Sequence, residues 1–390
     1  MMQVQAPPGG TTTATADPPA PAAARRARGR IGPVVVGQLV AVELCALAAG
    51  LALGGPTWLL GLVGVLAALG VLATFARRGG RWWHEDLLLR RSLRRRRQGA
   101  RAALAGGTED VRLAALAPEL TVVELTERGT RLGVGQDARG FFAAVALVGR
   151  ADVGGGSVEA PAVDRALRVL AEFTGPVTAT QVVSHTLVWY PVPGGPPAAH
   201  RTVWVALRLS VADARAESVS RGGGLRGVHR TVAAGVGRLG KVLTAAGLPH
   251  RVLGRDELRA AVVSAAGLDL APEPPAETWT GLRGGGWTQR CLALRTRPGT
   301  PLAPLVDAVT ATSAPSHTVA ATVPPGGRRV QPLLRVAATD NHVDALVKAV
   351  REVARRAGAP TRPLDGQHAP GVYATAPVAA PSPATVRAAG

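Results

Sequence analysis

The sequence predicts a membrane-anchored α/β (α+β) protein, with an N-terminal two-helix transmembrane hairpin followed by a mixed α/β cytosolic domain. Two observations predict it. The first is a pair of apolar runs, Val34–Leu53 and Trp58–Ala76, separated only by Gly54-Gly55-Pro56-Thr57. The second is a change beyond Gly106-Gly107 from unbroken apolarity to short alternating runs interleaved with helical ones. Each apolar run holds about 20 residues, which at 1.5 Å per residue matches the roughly 30 Å hydrocarbon core of a bilayer. Gly-Gly-Pro is turn chemistry, so spans at about 34–53 and 58–76 form a hairpin within residues 31–80. Arginines 25, 26, 28 and 30 precede it and Arg77, Arg78 and Arg81 follow it. Arginine stays on the cytoplasmic side, so both termini are expected there, in a multi-pass protein of the cell (inner) membrane. A secretory signal peptide cleaved near Ala46-Leu47-Ala48 is the competing reading. It is disfavoured because a second span follows at once, with basic residues directly behind it.

Within the first span Gly37, Ala41, Cys45 and Ala49 form a ladder of small residues at i+4, and Gly61, Gly64 and Ala68 form a shorter one in the second. Such faces let helix backbones approach closely. Glu43 points roughly opposite the first ladder. A carboxyl at that depth costs several kcal/mol if it faces lipid. With the ladder closing the hairpin, Glu43 is expected to meet a partner subunit; the alternative is an uncharged carboxyl bonded within the hairpin. Trp58 marks one membrane boundary and Trp82 and Trp83 the other, because tryptophan prefers the headgroup level.

Charge narrows the function classes. The net charge is +19, and residues 77–101 supply +8 of it, ten arginines against Glu85 and Asp86. Residues 81–101 read as a basic juxtamembrane helix. Its densest part, Arg94, Arg95, Arg96 and Arg97, is expected to contact anionic lipid headgroups, at about 1 kcal/mol per residue near the surface. Nucleic acid is not expected as a partner: aromatics are 3% of the chain and do not interleave with basic residues. Only two cysteines are present, Cys45 and Cys291, so no disulfide framework exists.

Residues 1–30, rich in Pro, Ala and Thr, read as a disordered tail, and 363–390, rich in Pro and Ala, as another. The cytosolic α/β domain spans 102–362. It opens with a small meander at Leu120–Leu125, Arg131–Gly135 and Phe141–Val148, followed by a helix at Val163–Phe173. Strands Thr180–Tyr190 and Thr202–Ser210 come next. In the second of these, Val203, Val205, Leu207 and Leu209 alternate with Trp204, Ala206 and Arg208, the period of a half-buried strand. Leu225, Val228, Val232, Val236, Leu239 and Leu243 step by three or four, a helical face that Gly247 and Pro249 terminate. A short strand at Arg251–Leu253 and a helix at Glu257–Ala266 precede a possible subdomain boundary near 271–275. Beyond it lie strands Gln289–Thr296, His317–Thr322 and Val330–Ala337 and helices Pro301–Val309 and Asn341–Ala357. No internal repeat is legible.

No catalytic or cofactor constellation emerges. Gly235-Val236-Gly237-Arg238-Leu239-Gly240-Lys241 satisfies G-x-G-x-x-G, with Asp256 about 20 residues on, and nearly satisfies a P-loop, with Val242 where Ser or Thr is needed. Both motifs require a buried strand immediately upstream, and here the helical period runs unbroken through the glycines. They read as glycines of a packed helix. Arg221-Gly222-Gly223-Gly224 and Gly284-Gly285-Gly286-Trp287 read as turns. H-E-x-x-H, C-x-x-C, G-x-S-x-G and D-x-D are all absent, His185 and His200 stand singly on strands, and Cys291 reads as a small buried hydrophobe.

Two segments carry a family resemblance. Gly80-Arg81-Trp82-Trp83-His84-Glu85 running into the arginine-rich stretch, and His200–Leu209 followed by Arg221-Gly222-Gly223-Gly224 and a long helix, together resemble the EccE component of the type VII (ESX) secretion apparatus. The Arg251–Leu258 segment fits the same family, and the likeness runs over roughly 30–360. The resemblance implies a non-catalytic subunit of an inner-membrane secretion complex, with two N-terminal spans and a cytosolic α/β domain. Its partners would be EccB, the ATPase EccC and EccD, with no cofactor, no metal and no catalytic residues to carry over. The family's cytosolic fold is likened to glycosyltransferases, which keeps a membrane-tethered nucleotide or nucleotide-sugar enzyme as the alternative, although the metal-binding D-x-D is missing.

Overall fold

A computed structural model describes residues 30–31, 34–78, 81–107, 110–127, 129–149, 156–192, 194–326 and 330–383. The expected tail at 1–30 falls almost wholly outside them. The chain divides into two compact units, residues 1–71 with 388–390, and 72–387.

In the first unit, helix α1 (Val36–Ala52) and helix α2 (Thr57–Phe75) flank the Gly-Gly-Pro turn. On α1 the least exposed side chains are Cys45, Ala49 and Ala52, and on α2 Val63, Ala67 and Gly70, each set spaced i, i+4, i+7. Cys45 Sγ lies 3.4 Å from where a Cβ on Gly70 would sit. Gly61 and Gly64 face open space instead, so the small-residue contact on α2 is one to two turns later than the sequence suggests. Among the described residues no helix is long and apolar enough to cross a membrane. The 17 residues of α1 and 19 of α2 rise about 26 and 28 Å, against a core of about 30 Å. The described helices therefore do not support the expected transmembrane hairpin.

The second unit holds helix α3 (Trp83–Ala105) and a mixed α/β domain built on one twelve-stranded antiparallel sheet. Its strands are β1 (Thr121–Glu127), β2 (Thr130–Asp137), β3 (Gly140–Leu147), β4 (Ala179–Trp189), β5 (Ala198–Ser210) and β6 (His250–Val252). The second six are β7 (Ala276–Glu277), β8 (Leu282–Gly284), β9 (Trp287–Leu294), β10 (Ser316–Val323), β11 (Gln331–Thr339) and β12 (Thr361–Pro363). The order is β7-β8-β9-β11-β10-β4-β5-β3-β2-β1, with β6 on β3 and β12 on β9. Helices α4 (Pro161–Glu172), α5 (Val211–Val219), α6 (Gly224–Ala245) and α7 (Arg255–Ala265) belong to the first six strands. Helices α8 (Ala303–Thr310), α9 (Val343–Arg356) and α10 (His368–Thr375) belong to the second.

That order is a duplication. Each half is a three-strand meander whose last strand opens a split β-α-β-β-α-β unit, in spatial order 4-1-3-2, followed by one further helix. One row of cross-strand partners displays the symmetry: Arg251, Ala146, Trp204 and Val183, then Ala320, Leu333, Ala293 and Arg362. Equivalent positions meet at the centre, where Val183 pairs with Ala320. The repeat is invisible in the sequence because burial and period are kept while identities are not: Trp204 on one side answers Leu333 on the other. Among the described elements of the sheet domain, α5 and its Arg221-Gly222-Gly223-Gly224 turn lack a counterpart. The segment 271–275, expected as a subdomain boundary, joins the repeats within one continuous sheet.

Alternation along the strands makes two cores. Phe141, Ala143, Val145 and Leu147 face the layer containing α4, α6, α8 and α9, while Phe142, Ala144 and Ala146 face α7 and α10. The predicted stripe of α6 is buried from Val228 to Leu243, but Leu225 in its first turn is exposed.

The C-terminal segment departs furthest from expectation. Residues 364–380 are not a disordered tail; nearly all are buried, and α10 continues into a strap across the sheet. Gln181 Nε2 donates to Ala374 O at 2.6 Å and Gln181 Oε1 accepts from Ala379 N–H at 2.7 Å. Small residues look like low complexity, yet close packing demands them: a Cβ on Gly371 would lie 2.9 Å from Cys291 Cβ. Residues 384–390 lie outside the described chain.

The strap also completes a buried ion pair. Arg208 holds Asp137 through two 2.8 Å hydrogen bonds, donates Nε–H to Val378 O at 2.8 Å, and Tyr373 donates its hydroxyl to Asp137 at 2.6 Å. Burial pushes the Asp137 carboxyl upward, but Arg208 and the Tyr373 hydroxyl outweigh it and hold it below the usual range. Tyr373→Phe is expected to cost about 1–3 kcal/mol, the value of a hydrogen bond to a buried charge, in denaturant unfolding of the full chain. A loss under about 0.5 kcal/mol would mean the strap is not held through this hydroxyl.

Two histidines set an acid limit. His317 is fully buried, and burial lowers its pKa from 6.5 to about 3; burial together with Arg335 also holds His185 well below its ordinary value. Both stay neutral in the fold, whereas the unfolded chain protonates them below about 6.5, so the unfolded state binds more protons and stability falls as pH drops. His317 alone is expected to remove roughly 2 kcal/mol between pH 6.5 and 4.5, before most carboxylates titrate. His317→Gln should flatten that slope in unfolding measured across this window.

Candidate membrane-proximal interface

Helix α3 is the element on which the predicted site residues converge, and its sequence divides it lengthwise. At about 100° per residue, Leu89, Leu93, Arg96 and Ala100 share one face and Leu87, Arg91, Arg94, Arg95 and Arg101 the opposite one. Leu89 and Leu93 are buried at 7% and 6% exposure. Arg96 donates to both carboxylate oxygens of Glu277, at 2.8 and 3.1 Å, and to Gly366 O at 2.6 Å. Arg97 Nε donates to the Glu277 carbonyl at 2.6 Å, and Arg90 lies 4.7 Å over the Trp279 ring. Glu277 also accepts the backbone N–H of Ala369 in the first turn of α10, at 3.0 Å. One buried carboxylate thus holds α3, the edge strand β7 and the C-terminal strap together.

This corrects the expectation for the arginine cluster. Arg96 is turned onto the domain, and Arg97, though exposed, donates its Nε–H to the Glu277 carbonyl. Arg94 and Arg95 are exposed, as are Arg91 and Arg101, and none of the four is ion-paired among the described residues. Trp83, in the first turn, is 44% exposed. Side chains of Trp82, Gly37 and Ala41 lie outside the described residues. In the separate α1–α2 unit, Glu43 is exposed and Cys45 half-buried, so Glu43 points away from the Cys45–Gly70 contact.

Sequence reasoning missed Glu277, Trp279, Arg91 and Arg101. Glu277 lies 181 residues from Arg96, so no local spacing could pair them. The two outward arginines were legible from the helical period, had it been carried beyond the four consecutive ones.

The other candidate segments supply no chemistry. Residues 235–241 lie inside the unbroken α6, where the backbone N–H groups are committed to the helix. A Cβ on Gly235 would sit 3.3 Å from Leu207, and one on Gly240 2.9 Å from His250 Nε2, so these glycines serve packing against the sheet. Burial pushes the Cys291 thiol up to about 12, which leaves it inert. Arg335 is wholly buried and donates to Thr318 Oγ1, Ser316 Oγ and Gln289 Oε1. Among the described residues no carboxylate forms an ion pair with it; burial lowers its pKa to about 10. The C-terminal end of α7 lies above it: Thr318 donates to Ala265 O, and Gly267, at φ +62°, has its Cβ direction 2.3 Å from Arg335 Nη1. The carbonyl end of a helix offsets a cation, so this arginine is a structural counter-charge. Among the described residues no cluster of histidine, cysteine or acid could hold a metal ion.

Comparison with known proteins bears on the segment that carries the clamp. Residues 197–294 match a family model described as "Putative type VII ESX secretion system translocon, EccE". The match is to EccE. It covers about a quarter of the chain, from β5 through α6 and α7 to β9, and supports the resemblance read from the sequence. Glu277 lies inside the EccE-matching segment and Arg96 outside it. No curated relative matches the chain.

Glu277→Ala would leave Arg96 unpaired against the domain and free the α10 N-terminus, for an expected loss of about 2–4 kcal/mol. Hydrogen exchange should then rise in α3 and at 366–370 together. A rise confined to β7 would show that the helix is held by its leucines alone.

Proposed function

We propose that this chain is a structural, non-catalytic subunit of an inner-membrane type VII protein secretion complex. In this reading α1 and α2 anchor it, both flanks face the cytosol, and the α/β domain makes subunit contacts. The observation that carries the reading is the surface of the α1–α2 unit. Leu47, Leu51, Trp58, Leu66 and Leu69 are each more than half exposed. Exposed large apolar side chains in this number on two consecutive helices support a membrane or subunit contact. The shortness of the helices is accommodated by local bilayer thinning at modest cost.

Glu43 has its place in the same reading. With Cys45 turned to Gly70, the carboxyl projects from the hairpin into the layer occupied by lipid or by other subunits, where an unpartnered acid is expensive. Glu43 is therefore assigned to a contact with a neighbouring membrane helix, and the subunits the EccE resemblance names, EccB, EccC and EccD, are the candidates.

The test is mild-detergent solubilisation of the tagged chain at native expression, followed by native electrophoresis and mass spectrometry. Migration at several hundred kilodaltons or more with an ATPase and other multi-span proteins is expected, and Glu43→Leu should reduce recovery of that assembly. Migration alone, as a monomer or small homo-oligomer, would overturn the reading.

A further inference from the structure

We infer that the outward face of α3, formed by Arg91, Arg94, Arg95 and Arg101, docks on the surface of an anionic lipid bilayer, while Arg96 and Arg97 on the other face belong to the fold. The inference rests on the membrane-anchored reading and deepens it by naming the partner of this face. The observation behind it is the order of chemistry along one side of one helix. Trp83, Leu87 and Leu88 come first, at 44%, 37% and 61% exposure. The arginines follow: Arg91 stands about 12 Å further along the axis than Trp83, and Arg94 and Arg95 within another turn. An indole, two leucines and then guanidinium groups on one side make an amphipathic face that lies along a bilayer surface, apolar groups at the acyl boundary and guanidinium groups at the phosphates. An acidic protein patch would account for the arginines but not for the exposed apolar turn that leads into them.

Charge and connectivity agree. The acids of α3 are Glu85 and Asp86, and Asp86 is held by Arg90 on the docking side, so the outward face carries no carboxylate to neutralise it. Residues 76–82, which join α2 to α3, add Arg77, Arg78 and Arg81. Arg96 is ion-paired with Glu277, Arg90 with Asp86, and Arg97 is tied to the Glu277 carbonyl, which leaves Arg91, Arg94, Arg95 and Arg101 as the arginines of the outward face. Each surface arginine near anionic headgroups is worth about a fivefold gain in partitioning.

The experiment uses the full chain in lipid nanodiscs, with a fluorophore on Gln98→Cys in a Cys45→Ala background; Gln98 lies on the outward face and Cys291 is buried. The acceptor is a headgroup-labelled lipid. Energy transfer is expected to be higher in discs with roughly one-third phosphatidylglycerol than in neutral phosphatidylcholine discs. The excess should vanish in about 1 M salt, where screening is complete within about 3 Å. It should be lost in the Arg91→Gln, Arg94→Gln, Arg95→Gln, Arg101→Gln variant and kept when the same four become lysine, since a bilayer attracts point charge and does not demand the guanidinium fork. The glutamine variant should unfold at the wild-type temperature, because these side chains hold nothing in the fold. Equal transfer in both disc types overturns the inference, as does transfer that the glutamine variant leaves unchanged. Loss of a co-purifying acidic protein with transfer unaltered would assign the face to a protein instead. Failure of the chain to co-elute with discs at all would strike the anchoring reading and is scored separately, before any transfer is measured.

Discussion

Strands β4 and β10 pair over eight positions, from Ser316 opposite Leu187 to Val323 opposite Thr180. Each is the open edge of its own half-sheet, and each is buried along nearly its whole length once paired. A half taken alone would present a long edge of unpaired backbone groups, which is a template for aggregation. The halves therefore stabilise one another through the contact that makes them one sheet. The C-terminal strap follows from the same junction. Gln181 on β4 binds it at Ala374 and Ala379, and Thr322 on β10 donates to Ala380 O. It crosses the seam where separation of the halves would begin.

Two buried arginines show two ways to keep a cation inside. Arg208 is matched by Asp137 in a bidentate pair whose remaining acceptor capacity is taken up by Tyr373 and the Arg139 N–H. Arg335 has only neutral acceptors and the carbonyl end of α7. The first solution ties the strap of the second repeat to β2 and β5 of the first, and the second ties α7 of the first repeat to β11 of the second. Buried charges of this kind contribute little net stability but tolerate few alternative arrangements. Both therefore serve the register between repeats, and neither is open to a substrate.

Much of this fold is legible in the sequence because burial imposes period. The alternation in Thr202–Ser210 and the steps from Val228 to Leu243 reappear as β5 and α6 within a few residues, and the helical reading of residues 235–241 follows from the same steps. What escapes is whatever depends on distance along the chain. Glu277 and Arg96 meet only after the whole sheet is built, and the duplication survives in register while its residues have diverged. The strap escapes for a different reason. Alanine, glycine and proline between 364 and 380 have the composition of a tail, and only the closeness of the sheet beneath them explains why larger side chains would not fit.

Helix α3 gains its significance from what stands behind it. Arg96 reaches Glu277, whose other oxygen contact is the Ala369 N–H at the start of α10, and α10 carries Tyr373 to the Asp137–Arg208 pair in the first repeat. Every link in that series is at least partly buried and hydrogen-bonded, and none passes through a flexible loop. A load placed on the outward face of α3 is therefore borne by both repeats, not by the helix alone.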